Sequence, residues 1–149
     1  MAAEYNAPLQ DMRFVLREIA GLDGLATLPR LEAADAETVD AVLEEAAKFA
    51  RNVIAPTNAA GDEHGSVAEN GVVRTAPGFK EAYRQFREGG WNSVPFDPAH
   101  GGGGLPWAVA MATQEMITSG NMAFSLCPLL TQGAVEAMAA HGSPEQQAM

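Results

Sequence analysis

The stretch from Gly89 to Asn121 limits the possible folds more than any other part of this sequence. It opens with Gly89-Gly90-Trp91, passes Pro95 and Pro98, runs through four glycines at Gly101 to Gly104, and restarts at Pro106-Trp107. Regular helix is excluded between Trp91 and Gly104. Proline lacks an N–H and crowds the preceding turn, while a glycine run loses the most backbone freedom on ordering. From Trp107 to Thr118 the pattern reverses. Ala108, Val109, Ala110, Met111, Ala112, Met116 and Ile117 cover most of a helix circumference, the mark of a helix buried on nearly all sides. An ordered connector wrapped around a core, leading into a buried helix, satisfies both halves.

The flanking sequence is helical in pattern. Met12, Val15, Leu16 and Ile19 fall at helical spacing between Leu9 and Ala20, and Gly21 supplies a stop. Asp35 is placed to cap a second helix whose stripe is Val39, Val42, Leu43, Ala46, Phe49, Ala50 and Val53, closed by Pro56. Its acidic face reads as solvated charge supported by a Glu44–Lys48 pair one turn apart. Thr57 to Thr75 reads as a surface loop, with at most a small hairpin at Asn70-Gly71. Pro77 is expected to start the helix carrying Phe79, Ala82, Tyr83 and Phe86, with Gly89 taking the left-handed conformation that ends it. Trp91 can then fold back under that end. Asn121 is placed to cap a further helix that passes Phe124 and Leu129, bends at Pro128 and stops at Gly142. Ser143-Pro144-Glu145-Gln146 carries a capping box and opens one more helix, so the natural chain is expected to continue past Met149. The fold class expected for residues 1–149 is all-α, with about five or six helices in one domain.

Composition narrows the partners. Nine Lys plus Arg against nineteen Asp plus Glu gives a net charge of −10, which repels nucleic acid and anionic lipid. The single cysteine, Cys127, has no partner for an internal disulfide, and Met1 to Gln10 lacks the pattern of a signal peptide, so a reducing, cytoplasmic setting is the default. The longest apolar reach, Leu105 to Leu130, is interrupted by Gln114, Glu115, Ser119, Gly120 and Asn121, and is too broken to cross a membrane.

The chemical motifs thin out on inspection. His100-Gly101-Gly102-Gly103 matches the oxyanion-hole segment of some α/β-hydrolases, but the Gly-x-Ser-x-Gly elbow that such an enzyme needs is missing. A glycine loop before a helix start can also cradle phosphate, yet neither a Walker pattern nor a Rossmann pattern is satisfied. A flexible hinge that permits close backbone approach explains the glycines with fewer assumptions. His64, His100 and His141 stand apart, without the spacing of zinc ligands, and are read as surface residues. Cys127, lacking basic neighbours, is read as inert packing. No catalytic constellation and no metal site emerge. Glu115, with Gln114, resists a purely structural explanation. A carboxylate on an apolar helix either forms the polar end of a ligand slot or is satisfied by a neighbouring element.

In order and spacing, several segments together resemble one family: Gly89-Gly90-Trp91, Gly102-Gly103-Gly104-Leu105-Pro106, Gln114-Glu115-Met116, Asn121-Met122-Ala123-Phe124 and His141-Gly142-Ser143-Pro144-Glu145-Gln146-Gln147. They look like the N-terminal helical domain of the acyl-CoA dehydrogenases. The opening Tyr5-x-Ala7-Pro8-Leu9-x-Asp11-Met12-Arg13-Phe14 and the loop Glu69-Asn70-Gly71-Val72-Val73 resemble the branch that includes 3-methylmercaptopropionyl-CoA dehydrogenase. The resemblance implies an FAD enzyme that desaturates an acyl-CoA thioester, with electron-transfer flavoprotein as acceptor and a homo-oligomeric complete form. It implies that the catalytic carboxylate and the flavin contacts lie in a middle β-domain and a C-terminal helical domain, outside these 149 residues, and that this chain is inactive alone. It further implies that Met111, Gln114, Glu115, Asn121 and Phe124 contribute to the acyl-pocket wall. The rival expectation is a free-standing helical module partnering a separately encoded flavin subunit. A stand-alone module should present a polar surface, whereas a domain made to meet others should expose an apolar face.

Overall fold

The computed structural model describes residues 4–148, and these are mainly helical, with one hairpin, the connector, and a non-helical opening (4–8) and turn region (26–35). Helix α1 (Leu9–Phe14) continues as a π-helical turn over Val15–Ile19, and α2 (Leu22–Leu25) is a single turn. Helix α3 (Ala36–Phe49) also widens into a π turn, Ala50–Ile54, before α4 (Pro56–His64). The hairpin of β1 (Val67–Glu69) and β2 (Val72–Arg74) precedes α5 (Phe79–Glu88). After the connector come α6 (Trp107–Gly120), α7 (Met122–His141) and the single turn α8 (Pro144–Gln147). The all-α expectation holds, as does the capping box at Ser143 and Gln146.

The core lies between α3 and α6. Val39, Leu43 and Ala46 of the first, with Ala50 of its π turn, meet Val109, Ala110, Ala112 and Met116 of the second, all buried. Asp35 starts α3 as expected, accepting hydrogen bonds from the N–H groups of Glu37 and Thr38 at 3.0 Å. A second, aromatic cluster adjoins this core, with Trp91 packed against both. Phe86 meets Phe124 edge to face at 5.8 Å, and Trp91 stacks on Phe49 at 5.6 Å. Aromatic pairs in such geometry add to the area they bury.

Several local expectations give way. Residues 57–64 are helix rather than loop, because Pro56 begins α4 instead of merely closing α3. Proline is favoured at a first helical position, where no N–H is needed. The wide turn before it, closed by the Ala55 N–H to the Ala50 carbonyl at 2.8 Å, accommodates the ring. The acidic face of α3 is not free in solvent. Arg13 of α1 reaches Asp40 at 3.1 Å and Glu44 at 2.8 Å, and Arg17 reaches Asp40 at 3.0 Å. Two arginines one turn apart thus meet two carboxylates one turn apart, and Lys48 turns to Glu45 instead of Glu44. In α1, Met12 and Leu16 are buried but Val15 and Ile19 are exposed, since the π turn rotates them off the inward face. Helix α5 begins at Phe79, with Gly78 left-handed at its cap, so Pro77 lies in the preceding turn. At the other end Gly90, not Gly89, is left-handed (φ 73°). Gly89 is needed for space: a Cβ there would sit 2.8 Å from the Trp91 indole nitrogen, which has folded back as expected. The Asn70-Gly71 turn matches the expectation, both residues having positive φ between antiparallel strands.

The connector is ordered and is not a flexible hinge. The N–H groups of Gly102, Gly103, Gly104 and Leu105 donate to the carbonyls of Asp97, Ser93, Phe96 and Val94, at 2.8 to 3.1 Å. A Cβ on Gly102 would stand 2.0 Å from the Phe96 carbonyl oxygen, and one on Gly103 would stand 2.7 Å from that of Val94. Glycine here is a requirement of main chain lying against main chain. Gly133 in α7 has open space around its Cβ position. Gly102→Ala is expected to lower stability by about 3 kcal/mol or more. Gly133→Ala should raise it by about 0.5–1 kcal/mol. Thermal unfolding of the two variants beside the parent checks the contrast, and equal melting points would refute it.

Candidate functional site: the outer face of α6 and its junction with α7

Helix α6 is nearly enveloped, and what it leaves exposed falls on one line. Trp107, Met111, Glu115 and Ser119 are exposed at four-residue intervals, while Val109, Ala112, Thr113, Met116 and Ile117 are buried. Residues four apart lie on the same face, about 6 Å along the axis. Met111 is 58% exposed, so it is not part of the enveloped surface that the apolar pattern suggested. The stripe is apolar at Trp107 and Met111 and polar at Glu115 and Ser119. Phe96 of the connector packs edge to face on Trp107 at 5.9 Å and fixes the apolar end.

Tyr5 lies at the polar end. It is half-buried, packed against the α3–α6 core together with Ala7 and Leu9. Burial pushes its phenol up from the ordinary value of 10.0; the Ser119 hydroxyl beside it acts in the opposite sense, and the Glu115 carboxylate adds to the rise. Helical periodicity gave no reason to single out Tyr5, because it precedes α1. The signal was available only in the Tyr5-x-Ala7-Pro8 opening.

The other three anticipated site residues are engaged inward. Gln114 is buried and its amide donates to the Thr118 hydroxyl at 3.3 Å. Asn121, only 1% exposed, does two jobs at the α6–α7 junction. Its carbonyl oxygen accepts from the Phe124 N–H at 3.0 Å, and its amide donates to the Thr57 hydroxyl at 2.8 Å. Phe124 is buried in the aromatic cluster with Phe79, Tyr83 and Phe86. The five residues therefore divide. Met111 and Glu115 share an open face, Gln114 flanks it from inside, and Asn121 and Phe124 hold the two helices together.

Helix α7 presents a second open face. Met122, Leu126, Leu129, Leu130 and Met138 are exposed, Leu130 at 76%, and Cys127 is exposed beside them instead of packed. The spacing 122, 126, 129, 130 is that of one helical stripe. An apolar stripe on the outside of a domain marks a surface made to be covered. A cleft of about 690 Å³ lies elsewhere, between α3 and the connector, lined by Val42, Trp91, Val94 and Leu105. His64, His100 and His141 are exposed, as anticipated, and the described residues hold no cluster of three or more potential metal ligands. No described helix is long and apolar enough to cross a membrane.

The glycine run can serve neither as an oxyanion hole nor as a phosphate cradle. Its N–H groups, from Gly101 through Gly104, are already donated to main-chain carbonyls. What the site can do chemically is line: it offers apolar surface with one carboxylate and two hydroxyls at its end.

The family described as "Acyl-CoA dehydrogenase, N-terminal domain" matches residues 36–149. A 3-methylmercaptopropionyl-CoA dehydrogenase of Ruegeria pomeroyi is 40% identical over 147 residues, which is 97% of this chain and 24% of that protein. A broad-specificity linear acyl-CoA dehydrogenase of Mycobacterium tuberculosis is 28% identical over 123 residues, 81% of this chain and 20% of that protein. The chain spans about a quarter or less of the length of these curated relatives.

Two measurements check the geometry. Asn121→Ala removes the cap and leaves Thr57 without its partner in the interior, and should cost about 1–3 kcal/mol in chemical denaturation. An ultraviolet titration of the phenols should show Tyr5 ionising above pH 10.0, and Glu115→Gln should lower that midpoint. Because the folded-state value is the raised one, the linked stability is complete below the unfolded value and declines as pH rises past it. A Tyr5 midpoint indifferent to Glu115→Gln would contradict the placement.

Proposed function

Because the chain belongs to the acyl-CoA dehydrogenase family as its N-terminal domain, we propose that it forms one wall of the acyl slot and an interdomain surface in an FAD-dependent acyl-CoA dehydrogenase. The observation that carries this reading is the pair of open stripes on consecutive helices. Met111 and Trp107 on α6, and Met122, Leu126 and Leu130 on α7, are apolar side chains left in water on two consecutive helices, as are Phe14, Val15 and Ile19 nearer the start of the chain. Each such side chain is worth about 1.5–3 kcal/mol when fully buried, so the faces are strong attachment surfaces.

The reaction class is desaturation of an acyl-CoA thioester between its α and β carbons. FAD would supply the hydride acceptor, held by the rest of the enzyme. The glycine loop of this chain does not fit a pyrophosphate, since its donors are spent internally. The domain's own contribution is binding. Met111 and Trp107 line the acyl tail and keep water from it, while Glu115 marks where an apolar tail must stop. Within the same reading the acceptor is electron-transfer flavoprotein, the complete form is a homo-oligomer, and the setting is cytoplasmic. The 40%-identical relative, whose name specifies a short acyl group, supports a short acyl-CoA as substrate.

The isolated 149-residue chain is expected to bind no flavin and to reduce no dye with any acyl-CoA. It should also elute as progressively larger species as concentration rises in size-exclusion chromatography. Stoichiometric FAD retained on desalting would overturn the first expectation, and a concentration-independent monomer the second. In the flavin-loaded enzyme carrying this domain, Glu115→Ala should change the preference among acyl chain lengths. Lost stability with an unchanged preference would assign Glu115 a structural role.

A further inference from the structure

Resting on the reading of α6 as an acyl wall, we propose that Tyr5 is a specificity-determining residue that closes the far end of the acyl slot and confines it to short chains. Three observations place it there. First, the stripe on α6 has a direction. It is apolar at Trp107 and Met111, and one turn later, at Glu115, it becomes polar. An acyl tail running along it from the Trp107 end meets Glu115 about 6 Å beyond Met111. Second, Tyr5 stands at that polar end beside Ser119 and Glu115, with its ring packed against the core cluster that includes α6. A half-buried phenol there is a physical stop, and its hydroxyl adds a polar group that a methylene does not satisfy.

Third, the segment carrying Tyr5 is anchored. The Pro8 carbonyl accepts the Met12 N–H at 3.0 Å, so the segment enters α1 directly. Helix α1 is in turn held on α3 by Arg13 and Arg17 across Asp40 and Glu44. Tyr5 is therefore at the end of a short, fixed arm. That arm precedes residue 36, where the match to the family's N-terminal domain begins.

The test uses the flavin-loaded enzyme carrying this domain, with butyryl-CoA and octanoyl-CoA as probes. Replacing Tyr5 by Ala should raise the octanoyl-to-butyryl ratio of kcat/KM by about tenfold or more, the scale on which apolar pockets discriminate by chain size. The gain should appear mainly as a lower KM for octanoyl-CoA. The dissociation constants of non-reacting thioether analogues of the two substrates should shift in the same order. Tyr5→Phe keeps the ring and should keep the parent's length cut-off. If Tyr5→Ala does not retain flavin, Tyr5→Leu keeps apolar cover while removing the phenol end, and reads the same ratio. An unchanged ratio in the variant that retains flavin overturns the proposal. If Met111→Ala or Glu115→Ala still shifts the ratio in that case, the acyl-wall reading survives without Tyr5. If none of the variants shifts it, the wall reading fails as well.

Discussion

The domain depends on the close approach of α3 and α6. Their contact is built from small residues on both sides, Ala46 and Ala50 against Ala110 and Ala112, filled in by Leu43, Val109 and Met116. Gly120 completes it: a Cβ there would lie 3.3 Å from the Ile54 side chain and 3.4 Å from the Ala50 carbonyl. Helices that meet through small side chains leave little room for adjustment, and interiors packed this way transmit displacement instead of absorbing it. Helix α1, the connector and α7 are fastened to this pair. Helix α1 is clamped to α3 by paired arginines and carboxylates, the connector is laid into Val94 and Leu105 of the same cluster, and α7 starts where α6 stops.

Asn121 is the hinge of that arrangement in a chemical sense, since it joins three helices with one side chain. It caps α7, immediately follows α6, and reaches 64 residues back to Thr57 in α4. Thr57 also donates to the Ile54 carbonyl at 2.6 Å, so the polar chain ends on the wide turn of α3. A buried polar group fully satisfied in this way fixes register, whereas the same group half satisfied would destabilise. The α6–α7 junction is thereby held rigid, and the two open stripes keep a fixed relation to each other.

Much of this was legible in the sequence, and the failures have definite causes. Asp35, Asn121 and the Ser143 capping box were readable because a cap is a local interaction between residues three apart. The Asn70-Gly71 hairpin was readable because its backbone conformation is demanded by those two residues. The π turns were invisible, since no residue type announces an extra residue in a helical turn, and each moved the inward face by part of a turn. That misplaced Val15 and Ile19 and concealed α4. The Glu44–Lys48 pair was a sound local expectation overridden by Arg13, a partner 31 residues away from Glu44. Of the five residues that the family resemblance singled out, Glu115 and Met111 share the open face. The sequence could not separate them from Asn121 and Phe124, because which side of a helix faces inward depends on neighbours that periodicity does not name.

The glycine run has a consequence at the level of the gene. Any single-base change that replaces a glycine with another amino acid installs a Cβ. At Gly102 that atom would lie 2.0 Å from a carbonyl oxygen, and at Gly103 2.7 Å from another. Intolerance there is independent of what the new side chain is, so alanine and tryptophan should be rejected for the same reason. A mutational scan scored by growth would therefore record these positions as strictly as catalytic residues. The selection would be acting on the distance between two strands of main chain.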